Sequence, residues 1–184
     1  MPGSSLGREY LSNVTVVFAQ YKGLGDKAFA QITGDEFHAK VEPESNSIAT
    51  IVMHLSGNLL SRWTDFLTTD GEKPWRDRDS EFEDGPRGAE EIIFQWEKGW
   101  KCVIDAMASM NEETLSRIIT IRGEEHTVLR ALNRSLTHTA YHVGQIVFIA
   151  KALRSTGWKS LSVPKGKSKD FNAEMGMKRT PPSP

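Results

Sequence analysis

Four stretches of the chain carry apolar residues at the three- and four-residue spacing of a helix face, and 21 residues separate the second from the third. Leu11, Val14, Phe18 and Tyr21 mark a first helix from Leu6 to about Ile32, which Gly23 and Gly25 are expected to interrupt. The second runs from Ser47 to Leu67, with Ser45 or Ser47 as its cap and Pro43 barring an earlier start. Ile92, Trp96, Val103 and Met107 space the third, Ala89 to Met110, and the fourth covers Val128 to about Leu153. Between them, Arg117 to Val128 reads as two short strands around a turn at Arg122-Gly123. These elements predict an all-α fold: a four-helix bundle with a minor β-hairpin before helix 4.

The separating stretch, Thr68 to Gly88, carries a topological constraint. Antiparallel neighbours in a bundle need only about 2 to 8 linking residues. A helix of roughly 20 residues is about 30 Å long, and extended chain covers about 3.3 Å per residue. The stretch is therefore long enough to run the length of the bundle and start helix 3 parallel to helix 2. A loose surface loop is the plain alternative.

Composition excludes several classes. With 38% hydrophobic and 26% charged residues, the 184-residue chain fits one soluble globular domain. A formal net charge of -1 gives no pull towards nucleic acid or an anionic membrane. No apolar run reaches the roughly 20 residues of a membrane span, and MPGSSLGREYL has no signal-peptide pattern. The single cysteine, Cys102, belongs to no CxxC and sits in a helical pattern as a core thiol, so a cytoplasmic location is expected.

Three histidines stand out against this background. His54 lies in SNSIATIVMHLSGNLLS and His138 and His142 in SLTHTAYHVGQIVFIA, two stretches without a single Asp, Glu, Lys or Arg. His38 and His126 lie among charges and read as surface residues. Burying an unpaired imidazole costs a few kcal/mol, so the three need partners. A divalent metal would satisfy them together, because neutral imidazole nitrogen is a good ligand for Zn, Ni, Fe or Cu. The i, i+4 pair faces one way on its helix, and His54 would complete a three-histidine set open to water or substrate. Core histidines satisfied by ordinary hydrogen bonds are the competing explanation. Position 139 is Thr, so the general base of an HExxH protease is missing. No glycine-rich phosphate loop, GxSxG or buried pair of carboxylates is apparent.

Helical spacing also nominates neighbours for a substrate. Asn58 and Arg62 follow His54 at i+4 and i+8, and Gln145 lies close to His142 on the helical wheel. Arg62, ending an uncharged stretch, could hold an anionic group bidentately or pair with Asp65.

The helix order, a histidine in the second helix and LTHTAYHVGQI in the last make the chain resemble the DinB/YfiT-like metalloenzyme family. The strings HLSGNLLSRWTDFLTTDGEKPWRDRDSEF and LSVPKGKSKDFN make it most similar to an uncharacterised bacterial subgroup of that family. The resemblance covers nearly the whole chain. It implies an up-down-down-up bundle with a long crossover between helices 2 and 3, and a divalent metal, Ni or Zn foremost and Fe or Mn next, on His54, His138 and His142. It further implies a metal-dependent thiol S-transferase of detoxification or stress response, acting on a small molecule. The cofactor would be a low-molecular-weight thiol such as bacillithiol. A non-catalytic metal or small-molecule binding protein of stress physiology is the alternative. Homodimers are the family habit, and neither nucleic acid nor membrane is an expected partner.

The bundle is expected to occupy residues 1–158, with a basic extension over 159–184. From Asp70 to Glu91 nine acidic residues face four basic ones; from Lys151 onward eight basic residues face two acidic ones. Leu161, Val163 and Phe171 are candidate anchors for docking the extension against the acidic crossover, and the last residues are expected to be disordered.

Overall fold

A computed structural model describes residues 5–83 and 85–175. Among the described residues five α-helices follow one another: α1 (Leu6–Phe29), α2 (Ile48–Trp63), α3 (Ala89–Ala108), α4 (Val128–Arg154) and the short α5 (Ser168–Glu174). Between α3 and α4, β1 (Ile118–Ile121) and β2 (Glu124–Thr127) form a two-stranded antiparallel sheet. Arg122 and Gly123 make its turn, both at positive φ. Helix starts follow their caps. Ser47 Oγ accepts from Thr50 N at 3.1 Å, and Thr127 Oγ1 from Arg130 N at 3.2 Å. The second helix stops at Trp63, four residues short of the Leu67 expected, where Thr64 turns to extended backbone.

The expected break in α1 does not occur. The helix passes through Gly23 and Gly25, because Gly25 serves packing rather than turning. A Cβ there would strike the Trp96 ring, whose Nε1 donates to Asp26 Oδ1 at 2.8 Å. Gly99 plays the same part between α3 and α2, since its Cβ would come within 2.8 Å of Ser56 Cα. These two contacts bring Trp96 and Trp100 into one buried aromatic group with Phe18 and Phe29.

Contacts between helices run in consistent register. Ser56 bonds the Gln95 carbonyl and Thr64 meets Cys102, so later α2 meets later α3. Tyr10 bonds Asn133 and Gln31 bonds Lys159, so α1 and α4 also advance together. Across α2 and α4 the order reverses: Trp63 bonds Ser135, while His54 meets His138. Among the described residues no helix is long and apolar enough to cross a membrane.

The segment between α2 and α3 is anchored rather than loose. Asp70 accepts from the backbone N–H of Glu72, Arg122 and Gly123, at 2.6, 2.8 and 2.9 Å. Gly71 N–H donates to Thr120 O at 2.8 Å. Burial works against the Asp70 charge, but those three N–H groups outweigh it and hold the carboxyl well below the ordinary range. The hairpin turn is thereby clamped to the crossover.

At the other end, the extension meets the chain just past α1: the Lys159 backbone exchanges two hydrogen bonds with the Gln31 side-chain amide, and Leu161 packs against the core. Phe171 stays 41% exposed on α5. The last few residues, expected to be disordered, lie outside the described residues.

Candidate metal centre

His54 belongs to α2, and His138 and His142 lie one turn apart on α4. Because the two helices run past each other in opposite order, the three rings meet. His138 Nε2 is 3.3 Å from His54 Nε2 and 3.2 Å from His142 Nε2, with one ligand atom of each ring within 4.8 Å of the others. His54 and His142 are buried and His138 is half-buried.

The outer nitrogens decide what the inner ones can do. His54 Nδ1 lies 2.9 Å from Glu81 Oε2, and an ionised carboxylate only accepts, so Nδ1 carries the hydrogen. His142 Nδ1 faces Gln145 Oε1 at 2.9 Å and donates likewise. In neutral rings this turns both Nε2 lone pairs inward, towards a third Nε2. His138 can offer at most one N–H between them, and its own Nδ1 is buried with no hydrogen-bond partner among the described residues.

Metal–nitrogen bonds of about 2.0–2.1 Å at tetrahedral angles place ligand nitrogens about 3.3–3.4 Å apart, which the two Nε2 distances nearly match. Burial, followed by the charges of His142, His54, Arg76 and Arg62, pushes His138 from 6.5 down to about 3. Burial also lowers His142, against the Gln145 bond. Both lone pairs are therefore available at neutral pH. The group is one that could hold a metal ion.

Sequence reasoning missed the residues that set this geometry. Glu81 is buried in the crossover, where the run of charges masked it among solvated neighbours. Arg76 clamps it, with Nε to Oε1 at 2.7 Å and Nη2 to Oε2 at 2.9 Å, and reaches Ser61 Oγ with Nη1 at 3.1 Å. Burial disfavours the Glu81 charge, but the bonds from His54 and Arg76 prevail and lower its pKa. One signal was available. Gly57 sits mid-helix one turn after His54, and a Cβ there would strike Glu81 Oε1. The absent side chain lets the crossover carboxylate reach the histidine.

Two of the three rings, His54 and His138, line a cleft of about 450 Å³. Asn58 and Arg62 are among its lining residues, with Arg76, Arg78, Arg122 and Arg134. Arg62 is committed to the crossover rather than to Asp65: it bonds the Gly71 carbonyl and lies 3.3 Å from Glu72 Oε2. Gln145 is not among the lining residues; it lines a separate groove and orients His142.

His38 and His126, read as surface histidines, are both partly buried. His38 Nε2 bonds the Arg87 carbonyl at 2.7 Å. Cys102 stays between α2 and α3, its thiol pushed up by burial and away from thiolate chemistry.

Fold and site together define a predominantly helical protein with a three-histidine group of metal-ligating geometry at the end of a cleft. Residues 5–167 match the family described as Protein of unknown function (DUF1572), and the chain belongs to that family. No curated protein matches the chain.

Proposed function

We propose that the protein is a divalent-metal-dependent enzyme of the DinB/YfiT-like kind, with His54, His138 and His142 as ligands and thiol S-transfer to an electrophile as its reaction. The observation that carries this is the inward turn of two imidazole lone pairs onto a third ring, at the end of an open cleft. Three protein nitrogens leave coordination free, as catalytic rather than structural sites do. A bound metal would supply Lewis acidity, favouring the thiolate form of a low-molecular-weight thiol.

The chain's own residues do the rest. Glu81 and Gln145 fix the tautomers of His54 and His142. Trp63, Ile119 and Ile121 wall the cleft with apolar surface that holds the electrophile and limits water, and Asn58 offers an amide for orientation. The up-down-down-up bundle belongs to the same proposal, supported by the parallel register of α2 with α3 and of α1 with α4.

The test is turnover of monochlorobimane with a panel of thiols by metal-loaded protein. Conjugation is expected with at least one thiol and is lost on metal removal and in His138→Ala. Stoichiometric metal without turnover of any pair would contradict the enzyme assignment in favour of a binding protein.

A further inference from the structure

Five arginines line the cleft that opens from the histidines: Arg62, Arg76, Arg78, Arg122 and Arg134. Among the described residues no acidic one lines it with them. Two carboxylates behind the wall absorb part of the charge. Glu72 faces Arg62 and Arg122, and Glu81 holds Arg76. Five guanidiniums against two carboxylates leave a surplus of three positive charges around a small concave space.

The surplus is built from separate elements and aimed. Arg134 precedes His138 by one turn of α4, so its position relative to the metal-ligating ring is fixed by helix geometry. Arg78 comes from the crossover and lies over the Phe82 ring at 5.2 Å, and that ring packs against His54 at 4.8 Å. Arg122 comes from the hairpin turn, where Asp70 grips its backbone. Among the described residues no carboxylate pairs with the guanidinium of Arg78 or Arg134. Arginines placed only for solubility would spread over the surface and mix with acids, as they do elsewhere on this chain of net charge -1. Like charges converging on a cavity are costly unless an anion completes them.

We propose that this cleft recognises a small molecule bearing at least one carboxylate or phosphate, held by Arg78, Arg122 and Arg134 with its other end at the three histidines. This names the substrate class of the site and rests on its reading as a metal-dependent catalytic cleft. A volume of about 450 Å³ suits a metabolite and is too small for a polymer. Arg62 and Arg76 are bound into the wall and serve to position it; Arg78 and Arg134 make the contact, joined by the Nη groups of Arg122, whose Nε donates to Glu72 at 2.8 Å.

The test uses the full chain loaded with Zn²⁺, titrated by calorimetry with inorganic phosphate, with succinate and with the uncharged succinamide. Metal content is measured on the same samples. Expected is saturable binding of phosphate or succinate and none of succinamide, the stronger anion telling phosphate from carboxylate recognition. Arg134→Gln and Arg78→Gln, both at exposed positions, should each weaken it at least tenfold while far-ultraviolet circular dichroism and metal content stay unchanged, and Arg134→Lys should recover part of the loss. Equal binding of succinamide, no binding of either anion at millimolar concentration, or unchanged affinity in both glutamine variants would overturn the proposal. Anion binding that obeys these rules in protein holding no metal would support the arginine cleft and sink the metal assignment instead.

Discussion

Glu81→Gln removes one charge from the centre while keeping its shape. The carboxylate is 6% exposed and accepts from Arg76 at 2.7 and 2.9 Å and from His54 at 2.9 Å. An amide has one accepting oxygen, so its NH₂ must face either Arg76 or His54, both donors here. The Arg76 side chain is 2% exposed and loses the counter-charge beside it, keeping Ser61 Oγ at 3.1 Å.

Removing one partner of a buried pair costs about 3–5 kcal/mol, and the surviving bonds argue for about 3. Loss of the carboxylate behind a ligating histidine should also weaken metal binding about 10–100-fold, equivalent to about 1.4–2.8 kcal/mol. Urea unfolding of metal-free protein at pH 7 reads the first effect, and competition with a chelator for Zn²⁺ reads the second. Glu83→Gln, at an exposed position two residues on, is the control and should change neither. If Glu81→Gln shifts stability by less than about 0.5 kcal/mol and affinity by less than about twofold, Glu81 does not organise the site.

Two glycines should respond to alanine with opposite sign. Gly57→Ala places a methyl against Glu81 Oε1 and should lower both stability and metal affinity, whereas Gly144→Ala, with nothing within 4 Å, should stabilise α4 by up to about 1 kcal/mol; urea midpoints decide. Acid should weaken the metal-free protein over a defined window. The folded-state pKa of His138 lies near 3 against an ordinary 6.5, so below 6.5 the unfolded chain binds a proton that the folded core refuses, and stability falls as pH drops. The depressed carboxyls of Asp70 and Glu81 add their own loss only below their ordinary 3.8 and 4.5, so the span from about 6.5 to 4.5 isolates the histidines. His138→Ala should flatten the decline in urea midpoint there, and an unchanged slope would refute the assignment.

The histidines were legible because two features coincide at them: a turn-spaced pair, and long stretches without charge that leave imidazoles no ionic partner nearby in sequence. Local chemistry also revealed the Ser47 cap, the Arg122-Gly123 turn and a long connection between the second and third helices, which begins at residue 64 rather than 68. What failed to show was pairing across distance. Glu81 meets His54 across 27 positions, and its neighbours in sequence are charged residues that do face water. Arg134 sits one residue outside the uncharged stretch that drew attention to His138, although one helical turn joins them. Gly23 and Gly25 misled for the opposite reason. A glycine that admits a tryptophan ring and a glycine that ends a helix are identical in sequence, and only the position of Trp96 separates them.

The central claim is that His54, His138 and His142 together bind one divalent ion, and the metal-to-chain ratio tests it most directly. Protein incubated with Zn²⁺ or Ni²⁺ and desalted should retain about one ion per chain, as expected for a single three-histidine site. His54→Ala, His138→Ala and His142→Ala should each lose most of it. Wild-type protein that retains no metal, or three variants that all keep the full ratio, would contradict the account.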